Sequence, residues 1–114
     1  MTLTVEWSDF HDTLVATVTG DIDAATAPDL RASLGQGLRD HEPRRLVLDL
    51  SRVHFLDSAG LAVLVEVAAR CADTGLDFQL VCTTRGVLRP LQIAGLDSIF
   101  TILAEAPVPR AEPR

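Results

Sequence analysis

At 114 residues the chain suits one domain with one core, and a hydrophobic share of 47% gives that domain a real interior. The net charge is −6 and the ten cationic residues are all arginine, which argues against nucleic acid as the main partner. No apolar run is long enough to cross a bilayer, and MTLTVEWSDF lacks the basic-then-apolar pattern of a secretion signal, so the expected setting is the cytoplasm, away from the membrane.

Leu3, Val5 and Trp7 alternate with polar residues and predict a half-buried strand. Ser8 to Asp12 can turn the chain into a second strand, Leu14 to Thr19, so the two form a hairpin. Gly20-Asp21-Ile22-Asp23 breaks the strand, and Ala24 to Leu38 takes on a helical period with Leu30, Leu34 and Leu38 spaced by four. Asp23 or Thr26 can cap that helix, and Pro28 is tolerable only in its first turn. Arg44 to Leu50 reads as a strand in which Leu46, Val47, Leu48 and Leu50 form a short, near-continuous apolar run, the pattern of a central strand covered on both faces.

A helix is predicted over Ser58 to Asp73, ended by Thr74-Gly75. Phe78 to Cys82 reads as another buried strand. Thr83 or Thr84 opens a third helix that Gly95 closes, and Ile99 to Leu103 forms a last strand. The tail from Ala106 to Arg114, rich in proline, is expected to be disordered, leaving 1–105 as the domain. The order β-β-α-β-α-β-α-β implies an α/β fold: a mixed sheet of four to five strands with helices packed mainly on one face. Cys71 and Cys82 are not in a CxxC arrangement and are expected to be free buried thiols.

The stretch FLDSAG, Phe55 to Gly60, joins the central strand to the second helix. On a purely structural reading, Asp57 or Ser58 caps that helix, a contribution of ~1 kcal/mol. Gly60 costs about 1 kcal/mol relative to alanine in a helix, and broken local rules tend to mark working sites. It is expected to leave the backbone uncovered where something can approach. On the helical wheel Leu61, Leu64, Val65 and Ala68 share the expected core face, while Ser58, Ala62 and Ala69 form a strip of small side chains beside it. Such a strip is flat enough for another protein to lie against.

No GxSxG elbow is present and His11, His41 and His54 are scattered, so no catalytic residue is assigned and Ser58 is not read as a nucleophile. No cluster of metal ligands stands out either. A helix N-terminus favours negative charge, so a phosphate on Ser58 is expected to be tolerated there, adding roughly −1.5 to −2 charges beside Asp57.

These residues resemble the STAS-domain anti-sigma-factor antagonists of bacteria. LVLDLSRVHFLDSAGLAVLVE carries the strongest likeness, supported by TGDIDAATAPDL near the start and VLRPLQIAGLDSIF near the end. The resemblance implies a STAS fold and a partner-switching regulator. The unphosphorylated protein binds an anti-sigma factor that is also a serine kinase and frees the sigma factor; phosphorylation releases it, and a phosphatase resets it.

Carried over by position, the phosphate acceptor is Ser58, and Asp23 matches an aspartate that supports partner contact. The implied contact surface is Asp23, Asp57, Ser58, Ala59, Gly60, Ala62 and Ala69. Many relatives have a second serine where this chain has Ala59, so the acceptor is unambiguous. Asp23 as a plain helix cap stays open. Pro90 inside the third helix implies a late start or a kink.

No kinase glycine loop or P-loop is present, so no cofactor is expected; ATP and Mg²⁺ come with the kinase. The alternative to the switch is a STAS-type structural subunit of a transport or stress-sensing assembly, in which the serine only caps. A kinase-like neighbour gene favours the first, transporter components the second.

Overall fold

In the computed structural model, which describes residues 2–107, the chain opens with a hairpin of β1 (Thr4–Phe10) and β2 (Thr13–Thr19). The first strand runs three residues further than its alternation predicts. The turn is the tight pair His11-Asp12, whose φ angles of 49° and 61° are the left-handed values a two-residue hairpin turn demands. There follow α1 (Ala27–His41), β3 (Arg45–Arg52), α2 (Ser58–Thr74), β4 (Asp77–Val81), α3 (Arg85–Ile93) and β5 (Thr101–Leu103).

The strands lie in the order β1-β2-β3-β4-β5; β1 and β2 are antiparallel and every later pair is parallel. The expected mixed α/β sheet is thus present, with β3 at its centre. Leu46, Leu48 and Leu50 of β3 point into the main core with Leu14, Ala16 and Val18 of β2, under the three helices. Val15, Val47 and Val81 face the other way and pack with Phe10, Leu103 and Ala106. This two-sided burial is why β3 reads as a continuous apolar run rather than an alternating one. Of the expected tail, Ala106 and Pro107 are half-buried, and 108–114 lies outside the described residues.

Three differences from the sequence expectations have physical causes. Helix α1 starts at Ala27 rather than Ala24, because Asp23 and Thr26 first close a tight turn. Its Gly37 lies flush against Trp7, where a Cβ would sit 2.4 Å from the ring.

The core face of α2 is Gly60, Val63, Leu64, Val67 and Cys71, not Leu61, Leu64, Val65 and Ala68. Leu61 and Ala68 are half-buried, and Val65 is 46% exposed. The helix is apolar round most of its circumference, so the wheel admits two faces. The backbone approach at Gly60 selects one of them: a Cβ there would stand 2.9 Å from both Ile22 and Leu56. Gly60 is therefore a packing residue, and its expected place on an open contact surface is corrected.

Helix α3 starts at Arg85 and carries Pro90 within it, which removes the bond to the Gly86 carbonyl. It is accordingly short. The Thr84 hydroxyl makes no cap and instead donates to the Val53 carbonyl at 2.5 Å, tying the start of α3 to the loop after β3. Both cysteines are free and buried, and burial raises their thiols from 9.0 to about 11 at Cys71 and about 12 at Cys82.

Candidate functional site

Each of the three helices follows a strand whose next neighbour in the sheet is parallel. Their N-termini therefore gather at the carboxyl ends of β2, β3 and β4, where open α/β sheets place their binding sites. The loop from Val53 to Asp57 is the hub of this end. Ile22 donates its amide to the Phe55 carbonyl at 3.0 Å, and Asp57 donates its amide to the Ile22 carbonyl at 3.2 Å. This small parallel bridge between Ile22 and Leu56 brings the Asp23 turn alongside the Asp57–Ser58 opening, two segments far apart in the chain.

Asp57 is the N-cap of α2. Its Oδ1 accepts the Ala59 amide at 2.9 Å and the Gly60 amide at 3.2 Å, and its carbonyl accepts the Leu61 amide at 3.0 Å. Two of the four orphan donors of this helix end, the Ala59 and Gly60 amides, are thus satisfied by one side chain, and the Leu61 bond is the first regular bond of the helix. Ser58 follows as the first helical residue, exposed, with no hydrogen-bond partner for its hydroxyl among the described residues. The cap is Asp57 alone, and the serine contributes nothing to it. The helix end is thus less receptive to a phosphate than its N-terminal position alone implies. Two of the amides that would hold the anion, those of Ala59 and Gly60, are already taken by Asp57, whose carboxylate a phosphate on Ser58 would meet.

From Ser58 the exposed strip runs along α2 through Ala62, Val65 and Ala69. The sequence reading had the small residues but put Val65 in the core; its place seven residues after Ser58, two turns on, was the available signal. Ala59 is half-buried against the core, and Gly60 is buried. Glu66 borders the strip and pairs with Arg31 of α1 at 2.6 Å, fixing one flank. Phe55, in the loop three residues before Ser58, is 48% exposed, a position that the FLDSAG motif shows without assigning it a role.

Asp23 caps the turn before α1. Its Oδ1 accepts the Ala25 amide at 3.0 Å and the Thr26 amide at 3.1 Å, while its own amide donates to the Thr26 hydroxyl at 3.0 Å. This reciprocal pair is a capping box, which supports the structural reading of Asp23. The bridge through Ile22 nevertheless puts the turn beside the Ser58 helix.

Ser58 has no histidine or carboxylate bonded to it as an activating base would be. His11 lies in the hairpin turn and His41 stacks on Trp7 at the far end of α1. Among the described residues no group of three or more histidine, cysteine or acidic side chains is arranged to hold a metal ion. No described helix is long and apolar enough to cross a membrane. What the site offers is an exposed hydroxyl, unbonded among the described residues, beside a strip of small and apolar side chains.

Residues 6–106 match the STAS domain family model. The chain is 32% identical over 102 residues to the anti-sigma-F factor antagonist RsfB of Mycobacterium tuberculosis, covering 90% of this chain and 82% of that protein. The crystal structure of an anti-sigma factor antagonist from Mycobacterium paratuberculosis superposes with a TM-score of 0.84 at 33% identity, covering 91% of this chain and 87% of that one. The anti-sigma factor antagonist SpoIIAA in its unphosphorylated form shares the fold, with a TM-score of 0.74 at 16% identity over 90% of both chains. SpoIIAA of Bacillus in its phosphorylated form shares it too, with a TM-score of 0.67 at 16% identity over 90% of this chain and 93% of that one. The strand order, the Asp57-capped helix and these likenesses agree: the chain belongs to the STAS-domain family.

Proposed function

We propose that this protein is an anti-sigma-factor antagonist. In the unphosphorylated state it binds an anti-sigma factor through the Ser58–Ala62–Val65–Ala69 strip and so frees a sigma factor. The partner is also the serine kinase that modifies Ser58, and a phosphatase restores the hydroxyl. On this reading the protein is a binding regulator rather than an enzyme and works in the cytoplasm.

One observation carries the reading: Ser58 is exposed and hydrogen-bonded to nothing described, at a helix end whose cap is supplied by its neighbour. A serine kept only for structure would take the capping bonds itself. The relatives named anti-sigma factor antagonists, and the solution of SpoIIAA in unphosphorylated and phosphorylated forms, give the same direction. Phosphate on Ser58 adds charge and bulk at the head of the strip, next to Asp57, and disrupts whatever lies against it.

The test has two steps. The wild-type protein is used to capture its partner from native lysate, and that partner is identified and purified. Calorimetry then compares wild type, Ser58→Ala and Ser58→Asp. The alanine variant is expected to bind as wild type and accept no phosphate, and the aspartate variant to bind at least about tenfold more weakly, ~1.4 kcal/mol. Equal affinities for all three would sink the switch.

A further inference from the structure

Beside the Ser58 strip lies a second feature that the switch does not use. A groove of ≈ 410 Å³ runs between the loop after β3 and α3, walled by Phe55, Leu56, Pro90 and Ile93, with Arg85 and Arg89 on its border. We infer that this groove is the second anchoring point of the same interface, and that it takes an apolar side chain flanked by carboxylates on the anti-sigma factor. The inference rests on the proposed function and supplies the chemistry of the partner.

The walls are fixed. Thr84 bonds the Val53 carbonyl, and Gly86 lies flush on the His54 carbonyl, where a Cβ would stand 1.8 Å away. Phe55 and Leu56, the residues just before Asp57, form one wall, so the loop that opens the Ser58 helix also borders the groove. Four large hydrophobic side chains are exposed among the described residues: Phe55, Val65, Ile93 and Ile99. Two of them line this groove, and Val65 lies on the strip. Ile93, 79% exposed at the end of α3, and Phe55 across from it make the exposed apolar surface contiguous rather than scattered, which is the arrangement that marks a contact site.

The charges specify the cover. Helix α3 reads RGVLRPLQI, with two arginines and no acid. Arg85 stands at its first position, the positive end of the helix dipole, where a cation is unfavourable. The usual structural reason for an arginine in a helix end turn is thus absent. Arg85, Arg89 and Ile93 follow at spacings of four, one ridge of two guanidiniums and one apolar tip. Guanidinium groups select carboxylates, and the wall between them selects an apolar anchor. A second copy of this chain is the poorer occupant, because two bodies of charge −6 repel.

The experiment is an NMR titration of the full chain with a short helical peptide that carries leucines on one face and glutamates beside them. The same peptide with lysines in place of the glutamates, and vesicles of phosphatidylglycerol, are run as competitors. The expected result is saturable amide shifts at Phe55, Arg85, Arg89 and Ile93 with the acidic peptide only. The expected loss is at least about tenfold in Arg85→Glu/Arg89→Glu and in Ile93→Ser. These residues are exposed or at the rim, so the variants remain folded, and amide spectra check that they do. The anti-sigma factor captured through Ser58 should lose affinity in the same two variants.

No shift in the groove, equal binding of the lysine peptide, or binding of vesicles instead would each overturn the inference. If Ser58→Asp releases the anti-sigma factor while both groove variants bind it as wild type does, the groove assignment fails and the Ser58 reading stands. If the peptide binds the groove as described but Ser58→Asp binds the anti-sigma factor normally, the switch fails, and the groove is a peptide site that owes nothing to it.

Discussion

Two helices of this molecule open in nearly the same way and do different things. Before α1, Asp23 accepts two amides and is followed three residues later by Thr26; at α2, Asp57 accepts two amides and is followed directly by Ser58. The difference is the fate of the hydroxyl. Thr26 is buried, donates to the Asp21 carbonyl at 2.8 Å and accepts the Asp23 amide. Ser58 is exposed and has no partner among the described residues. A hydroxyl that completes a turn cannot be modified without undoing it. A hydroxyl whose structural duty has passed to its neighbour is free for chemistry, and Ile22 ties the two openings together so that the free one is held in a fixed place.

The contrast can be broken in several ways. Its frame is the rotation of α2, since Ser58 is exposed only if Leu64 and Val67 face the sheet. Leu64→Ala should cost ~2–5 kcal/mol as a large-to-small core change, and Val65→Ala no more than ~0.5. Similar losses in the two, read from denaturation midpoints, would mean that the helix is turned. Next in size is Thr26→Ala. It leaves the Asp21 carbonyl and the Asp23 amide without their partner and should cost about 1–3 kcal/mol. Asp57→Ala should cost about 1 kcal/mol, as a lost cap does, with the fold retained.

The far end of α2 holds the opposite kind of group, a buried thiol at Cys71. Unfolded thiols ionise near 9.0, while burial holds Cys71 to about 11 and Cys82 to about 12. Above pH 9 the unfolded chain therefore binds fewer protons than the folded one, and stability falls as pH rises. The chain has no tyrosine and no lysine, so no other side chain titrates between pH 9 and 11. The slope should be at most about 1.4 kcal/mol per pH unit for each thiol, and Cys71→Ala should reduce it. A flat stability profile over that range would show the thiols to be open to water. The smallest effect belongs to Ser58→Ala, within ~0.5 kcal/mol of wild type; a loss near that of Thr26→Ala would make the serine a structural residue after all.

Much of this was legible in the residues. The run Leu46 to Leu50 marked a central strand, the turn after it marked a helix start, and DSAG marked the opening of that helix. The rotation of α2 was not, because SAGLAVLVEVAARC offers apolar residues on nearly every side. What chooses among them is a long-range contact, the approach of Gly60 to Ile22. The roles of Gly37 against Trp7 and Gly86 against the His54 carbonyl were hidden for the same reason: a glycine shows in sequence, but the atom it makes room for does not. Asp57 and Ser58 were equal candidates for the cap, and only the bonds to Ala59 and Gly60 separate them.

On the proposed reading, a phosphate on Ser58 alters one surface patch and leaves the fold alone. Asp57 already holds the Ala59 and Gly60 amides of the helix end, and the buried Leu64 and Val67 pin the helix to the core, so the added charge is expected to act on the surface rather than on the packing. The most direct test compares amide NMR spectra of the protein with serine and with genetically encoded phosphoserine at position 58. The expected shifts lie in residues 55–62 and, through the Ile22 bridge, in residues 21–26. Large shifts across Leu46–Leu50 and Phe78–Val81 would show that the core rearranges, and the patch would have to give way to a two-state change of the whole domain.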